Sequence, residues 1–113
     1  MQLNNKKIKD IGEFGLISEL AKSIKTDKSV ICGINDDAAV LEYTKNRYLF
    51  FTTDMLIEGA HFTKDMPPEA IGHKSLAVNL SDIAAMGGIP THAVVSLGLP
   101  KDLSSAFIKK VYK

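Results

Sequence analysis

The chain has little cysteine, no excess of either charge and no long hydrophobic run, and each shortage excludes a class of protein. A single cysteine, Cys32, excludes an intramolecular disulfide, a multi-cysteine zinc cluster and a dithiol redox motif. The 14 basic and 13 acidic residues are too evenly balanced for a nucleic-acid or polybasic membrane surface. No apolar run approaches the roughly 20 residues of a membrane span, and no hydrophobic segment follows the charged start as it does in a secretory signal. We therefore expect a cytoplasmic protein.

What remains is the composition of an ordinary globular domain. The 113 residues are 45% hydrophobic and 24% charged, without an internal repeat or linker. This length is enough for one hydrophobic core. An amphipathic helix starts near Asp102 and has no stop signal before Lys113. We therefore expect residues 1–113 to be the N-terminal domain of a longer protein whose C-terminal domain is absent here.

The spacing of hydrophobic residues predicts an α+β fold. Residues 13–25 and 67–86 have the pattern of helices, and the second of these should be largely buried and end at Gly87-Gly88. Asp102 is the expected N-cap of a third helix. Strands are predicted at 29–32, 38–43, 47–53 and 92–99, and 38–43 should pair with 47–53 as a hairpin.

Four short stretches carry polar side chains that could take part in chemistry. They are Asp36-Asp37 in a turn, Thr52-Thr53-Asp54 at a strand end, Glu58-Gly59-Ala60-His61 in a loop, and Asn79, Ser81 and Asp82 in the second helix. The first three also have ordinary interpretations, as turn, strand-exit and surface-loop residues.

Asp82 fits its local setting less well. It lies near the carboxyl end of the second helix, where the helix dipole disfavours an anion. Together with Ser75 and Asn79 it forms a polar stripe on a mostly apolar helix. The ordinary alternative is a buried aspartate that is hydrogen-bonded by a serine or an asparagine.

The acidic residues suggest a metal site. If Asp36 or Asp37, Asp54 and Asp82 converge, their mutual repulsion requires cations among them. Carboxylate, hydroxyl and amide oxygens are ligands that suit Mg²⁺, which often also binds substrate phosphates. The sequence has neither a P-loop nor a Rossmann glycine motif. Phosphate binding would therefore depend mainly on metal ions.

These stretches resemble the N-terminal domain of the thiamine-monophosphate kinase family. The resemblance rests on residues 12–17, 33–40, 52–62 and 74–87, which occur in the order and spacing of that family. It implies the fold of the aminoimidazole ribonucleotide synthetase N-terminal domain, with a mixed four-stranded sheet backed by two main helices. In a homodimer, the sheets of two copies would pair into a barrel. The implied reaction is magnesium-assisted, in-line transfer of a phosphoryl group from ATP to thiamine phosphate, which yields thiamine diphosphate.

The resemblance also implies roles for individual residues. The implied metal ligands are Asp37, Thr52, Thr53, Asp54 and Asp82. His61 would contact thiamine phosphate, and Tyr112 would contact the nucleotide. No catalytic residue separate from the metal ligands is implied, because the attacking phosphate oxygen is already anionic. The family usually has glycine at the position of Asn35, so we expect a positive φ there. Asp36, Asn79 and Cys32 receive no role.

Two alternatives remain open. One is a sibling with the same fold, such as aminoimidazole ribonucleotide synthetase, selenophosphate synthetase or a hydrogenase-maturation factor. A selenophosphate synthetase would carry a reactive cysteine near its N-terminus, and residues 1–30 contain none. The other alternative is a non-catalytic dimerisation domain whose acidic cluster is structural.

Overall fold

The structure, a computed structural model, describes residues 6–113 and divides into two compact units between Phe50 and Phe51. In chain order the elements are α1 (Ile8–Ala21), β1 (Val30–Cys32), β2 (Ala39–Thr44), β3 (Arg47–Phe51), α2 (Pro68–Ala85) and α3 (Ser105–Val111). This set of elements confirms the predicted α+β class.

Helix α1 lies further toward the N-terminus than predicted. It contains a kink at Gly12, where φ is +68°. The Asp10 carboxylate accepts a hydrogen bond from the Lys7 backbone N–H at 3.3 Å, which stabilises the first turn. Glycine allows the positive φ, so two helical segments meet at a kink at Gly12.

The sheet has the strand order β1-β2-β3. β1 and β2 are antiparallel, with Val30 opposite Leu41 and Cys32 opposite Val40, and a bulge shifts the register between these pairs. A two-residue turn joins β2 to β3, which confirms the predicted hairpin. Val40 and the neighbouring Ala38 are buried and form the core of this unit.

The predicted fourth strand is not formed within residues 6–113. Residues 92–99 have no regular secondary structure, and their side chains are exposed, with Val94 fully so. The alternation of apolar residues is present, but a strand also needs a neighbour to accept its backbone hydrogen bonds. The described sheet therefore has three strands rather than four.

Local signals set the limits of helix α2. Pro67 and Pro68 begin it, since proline is favoured in a first helical turn. Gly87, with φ at +71°, donates its N–H to the Ala84 carbonyl at 2.9 Å, and Gly88 donates to Ile83 at 2.9 Å. These two bonds form a Schellman motif, which confirms the predicted stop.

Helix α2 is less buried than predicted. Ile71 is its one buried residue, whereas Leu76 and Leu80 are 48% and 38% exposed. Helix α3 packs on α2 so closely that a Cβ at Gly72 would lie 1.8 Å from the Val111 carbonyl oxygen. An all-round apolar pattern predicts burial, but the short helix α3 covers only a part of the α2 surface.

The N-cap of helix α3 is Ser104 rather than the predicted Asp102. The Ser104 hydroxyl oxygen accepts a hydrogen bond from the Phe107 N–H at 3.2 Å. Both residue types are good N-caps, and the spacing of the apolar residues does not distinguish them. Among residues 6–113, no helix is long and apolar enough to span a membrane.

Candidate functional site

Thr52 and Asp82 connect the end of a strand to the end of a helix. Thr52 follows β3, and its hydroxyl donates to Oδ2 of Asp82 in the last turn of α2 at 3.1 Å. The contact is partly buried and joins residues 30 positions apart. The hydroxyl stabilises an anion that the helix dipole disfavours.

Asp54 and Asp82 form a pair of carboxyl groups. Desolvation, the negative charge of Asp82 and a side-chain hydrogen bond to Asp82 raise the pKa of Asp54, while the charge of His61 acts in the opposite direction. The two carboxyls therefore lie near each other. Two carboxylates in contact repel each other unless a proton or a cation lies between them.

His61 lies in a tight turn and is held at its ring and at its backbone. Its Nδ1 accepts the Ile57 N–H at 2.9 Å, and its own N–H donates to the Ile57 carbonyl at 2.8 Å. Gly59, with φ at +83°, donates to the Phe62 carbonyl at 2.8 Å. The ammonium group of Lys74 on α2 donates to the His61 carbonyl. These bonds hold both the ring and the backbone of His61, which lies near Asp54.

The polar stripe on α2 has two different functions. The Ser75 hydroxyl donates to the Ile71 carbonyl at 2.7 Å, and the Asn79 amide donates to the Ser75 carbonyl at 2.9 Å. These bonds stay within the helix. Asp82 instead accepts a hydrogen bond from Thr52 at its Oδ2. The ordinary interpretation expected a serine or an asparagine as this partner.

The Asn35-Asp36-Asp37 turn belongs to the first unit. Oδ1 of Asp36 accepts the Asp37 N–H at 2.9 Å, and the Cys32 thiol lies 3.9 Å from Asp36 Oδ2. Asp36 therefore stabilises the turn, in agreement with its ordinary interpretation. Asn35 has a φ of +90°, which confirms the positive φ expected at that position.

The second unit brings together Thr52, Asp54, His61 and Asp82. Thr53 and Tyr112 are exposed, Tyr112 at the C-cap of α3, and their predicted contacts stay predictions, as does the role of Asp37. In the described part of the chain, no group of three or more histidine, cysteine, aspartate or glutamate side chains could hold a metal ion by itself. The oxygen donors of the carboxyl pair and Thr52 nevertheless have the chemistry that Mg²⁺ prefers.

Sequence reasoning missed two groups that hold His61. The Lys74 ammonium comes from 13 positions further along the chain, and the Ile57 N–H is a backbone group. Lys74 lies within a stretch that carries the family resemblance, but no local spacing indicates its bond to a distant carbonyl.

Comparison with known proteins places these residues in a family. A family model described as AIR synthase related protein, N-terminal domain, matches residues 35–113. The chain belongs to this family. The match includes Asn35, the turn that holds His61, and the residues that contact Asp82, so the site lies within the family domain.

Curated relatives agree with the resemblance drawn from the sequence. The chain is 42% identical over 106 residues to the thiamine-monophosphate kinase of Aquifex aeolicus, which covers 94% of the chain and 33% of the relative. It is 44% identical over 108 residues to that of Buchnera aphidicola subsp. Schizaphis graminum, and this match covers 92% of the chain and 33% of the relative. It is 39% identical over 99 residues to that of Escherichia coli K12, and this match covers 87% of the chain and 30% of the relative.

The predicted resemblance to thiamine-monophosphate kinases is thereby confirmed. The chain spans about a third of the length of these relatives. No solved structure matches it significantly.

Proposed function

We propose that residues 1–113 are the N-terminal, ATP- and magnesium-binding domain of a thiamine-monophosphate kinase whose C-terminal domain lies beyond them. The whole enzyme transfers the terminal phosphoryl group of ATP to thiamine phosphate and forms thiamine diphosphate. The observation that carries this proposal is the similarity to enzymes of that name over 87–94% of the chain. The carboxyl pair within the family domain supports it, because phosphoryl transfer needs cations near the phosphates.

Asp54 and Asp82 are the proposed centre of the magnesium site. Bound Mg²⁺ supplies charge neutralisation to the phosphates. Thr52 holds Asp82 through its hydroxyl, so the carboxylate keeps one orientation. Thr53 is a further ligand in this proposal, and the role of Asp37 stays a prediction. Asp54 would bind the cation as a carboxylate.

His61 is the proposed contact to thiamine phosphate. Since Nδ1 accepts the Ile57 N–H, the neutral ring carries its proton on Nε2. Nε2–H can donate to an anionic phosphate oxygen. The attacking oxygen of thiamine phosphate is itself anionic, so the transfer proceeds in line without a general base. Tyr112, exposed at the end of α3, is the proposed nucleotide contact.

We also propose that the enzyme is a cytoplasmic homodimer. Pairing of two sheets into a barrel would give residues 92–99 the neighbour that a fourth strand needs. The full exposure of Val94 and the 62% exposure of Val95 support such an interface, because each would be covered on pairing. The lone Cys32 supports a reducing compartment.

The test is a steady-state assay of the full-length protein with ATP, Mg²⁺ and thiamine phosphate. We expect thiamine diphosphate and ADP in equal amounts, with loss of turnover in Asp82→Asn. Parallel reactions contain the acceptors of the sibling enzymes. Turnover of one of these instead would assign the sibling function. Absence of any heat of nucleotide binding in calorimetry would favour the dimerisation domain.

A further inference from the structure

Lys74 makes an unusual contact for a lysine on a helix surface. Its side chain is half-buried, and its ammonium donates to the backbone carbonyl of His61. Lys64, near the same turn, is 86% exposed and forms a 3.7 Å ion pair with Glu58. A surface pair of that kind contributes little to stability. Lys74, in contrast, attaches the turn to helix α2.

The attachment acts on a residue whose ring is already fixed. The Ile57 N–H occupies Nδ1 of His61, so Nε2 is left as the donor nitrogen. The bond to Lys74 fixes the backbone of the same residue to the helix that carries Asp82. One bond thus selects the tautomer, and the other attaches the backbone that carries the ring to helix α2.

We infer that Lys74 is a positioning residue that acts through His61. It holds the turn against α2 so that the Nε2–H of His61 keeps one position, from which it can donate to the acceptor phosphate. This inference rests on the proposed function for the identity of the acceptor. The contact to the His61 carbonyl does not depend on that identity.

The kinetic test uses the full-length enzyme and three lysine variants. Lys74→Met cannot donate, Lys74→Arg can, and Lys64→Met is the matched control that removes the same charge near the same turn. For Lys74→Met we expect a rise of about tenfold in the KM for thiamine phosphate, with the KM for ATP unchanged; tenfold corresponds to about 1.4 kcal/mol. Lys74→Arg should restore the value, and Lys64→Met should match the wild type.

A double-mutant cycle separates positioning from general stabilisation. If Lys74 acts through His61, Lys74→Met should have little further effect on the KM of His61→Ala. Equal effects in both backgrounds would overturn the inference. So would an unchanged KM in Lys74→Met, or a rise in both substrates' KM values.

A spectroscopic readout distinguishes failure of this inference from failure of the proposed function. Imidazole ¹⁵N shifts of the full-length protein should show His61 as the Nε2–H tautomer. Loss of the Lys74 bond should loosen the turn and so weaken the Ile57 N–H bond to Nδ1, which gives a mixture of tautomers in Lys74→Met and recovery in Lys74→Arg. If the wild type forms no thiamine diphosphate, the proposed function fails, and the ¹⁵N shifts still decide the role of Lys74. Identical ¹⁵N shifts in the wild type and Lys74→Met would refute it.

Discussion

Replacement of Gly72 by alanine should loosen the packing of helices α2 and α3. A Cβ built at Gly72 lies 1.8 Å from the Val111 carbonyl oxygen and 2.9 Å from the Val111 carbonyl carbon. Real Cβ atoms essentially never approach other atoms within 3.0 Å, so the backbones must separate by roughly 1.2 Å along this contact. The obstacle is backbone, which cannot rotate away as a side chain can.

Two opposing terms decide the size of the effect. Overpacking costs about 1–3 kcal/mol, and a contact this short with backbone belongs in the upper half of that range. Alanine favours a helix over glycine by about 1 kcal/mol. We therefore expect Gly72→Ala to destabilise the α2–α3 contact by about 1–2 kcal/mol.

Hydrogen exchange of the full-length protein measures this locally. Protection of the amides in α3 should fall in Gly72→Ala by about one power of ten, which corresponds to about 1.4 kcal/mol. Gly98→Ala is the control, because a Cβ at Gly98 meets nothing within 4 Å. Equal or greater protection of α3 in Gly72→Ala would refute the close approach of the helices.

Three further predictions concern the site and its supporting turns. Asp82→Asn removes one carboxylate of the pair and should weaken Mg²⁺ binding in the presence of ATP by at least about tenfold in calorimetry. The control Asp102→Asn, at an exposed position, should leave the affinity unchanged. Equal Mg²⁺ affinities of Asp82→Asn and the wild type would contradict the proposed site. Asn35→Val should lower the free energy of unfolding by about 1–2 kcal/mol because of its φ of +90°, and Asn35→Gly should not; equal denaturation midpoints would contradict this. The hydroxyl and then the N–H of Ser29, which both donate to Asp27, lower the pKa of that carboxyl. The contribution of the Asp27 carboxylate to the free energy of unfolding is therefore complete above pH 3.8, the ordinary pKa, and is lost as the pH falls through the lowered pKa. Asp27→Ala should flatten the acid limb of the pH–stability curve. An unchanged acid limb would refute this.

Features with a local cause were predicted well. Pro67-Pro68 and Gly87-Gly88 limit α2, and the short turn between β2 and β3 forms the hairpin, because each depends on residues next to one another in the chain. The positive φ of Asn35 follows from its position in a turn. Local chemistry was therefore sufficient for these elements.

Features that depend on distant partners were predicted less well. Asp54 and Asp82 were predicted to lie together because of their charge, and they do. The Thr52–Asp82 contact, however, spans 30 positions and has no sequence signal of its own. The same is true of the Lys74 bond to His61. The strand expected at residues 92–99 is the clearest example. Alternation of apolar residues indicates which side chains share a face of a strand, but it does not identify the neighbouring strand that must pair with it.

The exposed segment from His92 to Leu99 has a consequence for handling the protein. It contains no charged residue and no proline, and its backbone forms no part of a strand ladder in the described residues. Uncharged, apolar segments of this length are templates for intermolecular cross-β association. Production of the isolated domain is therefore expected to yield insoluble material. Charged residues introduced into this segment should raise the solubility of the domain but weaken the proposed dimer.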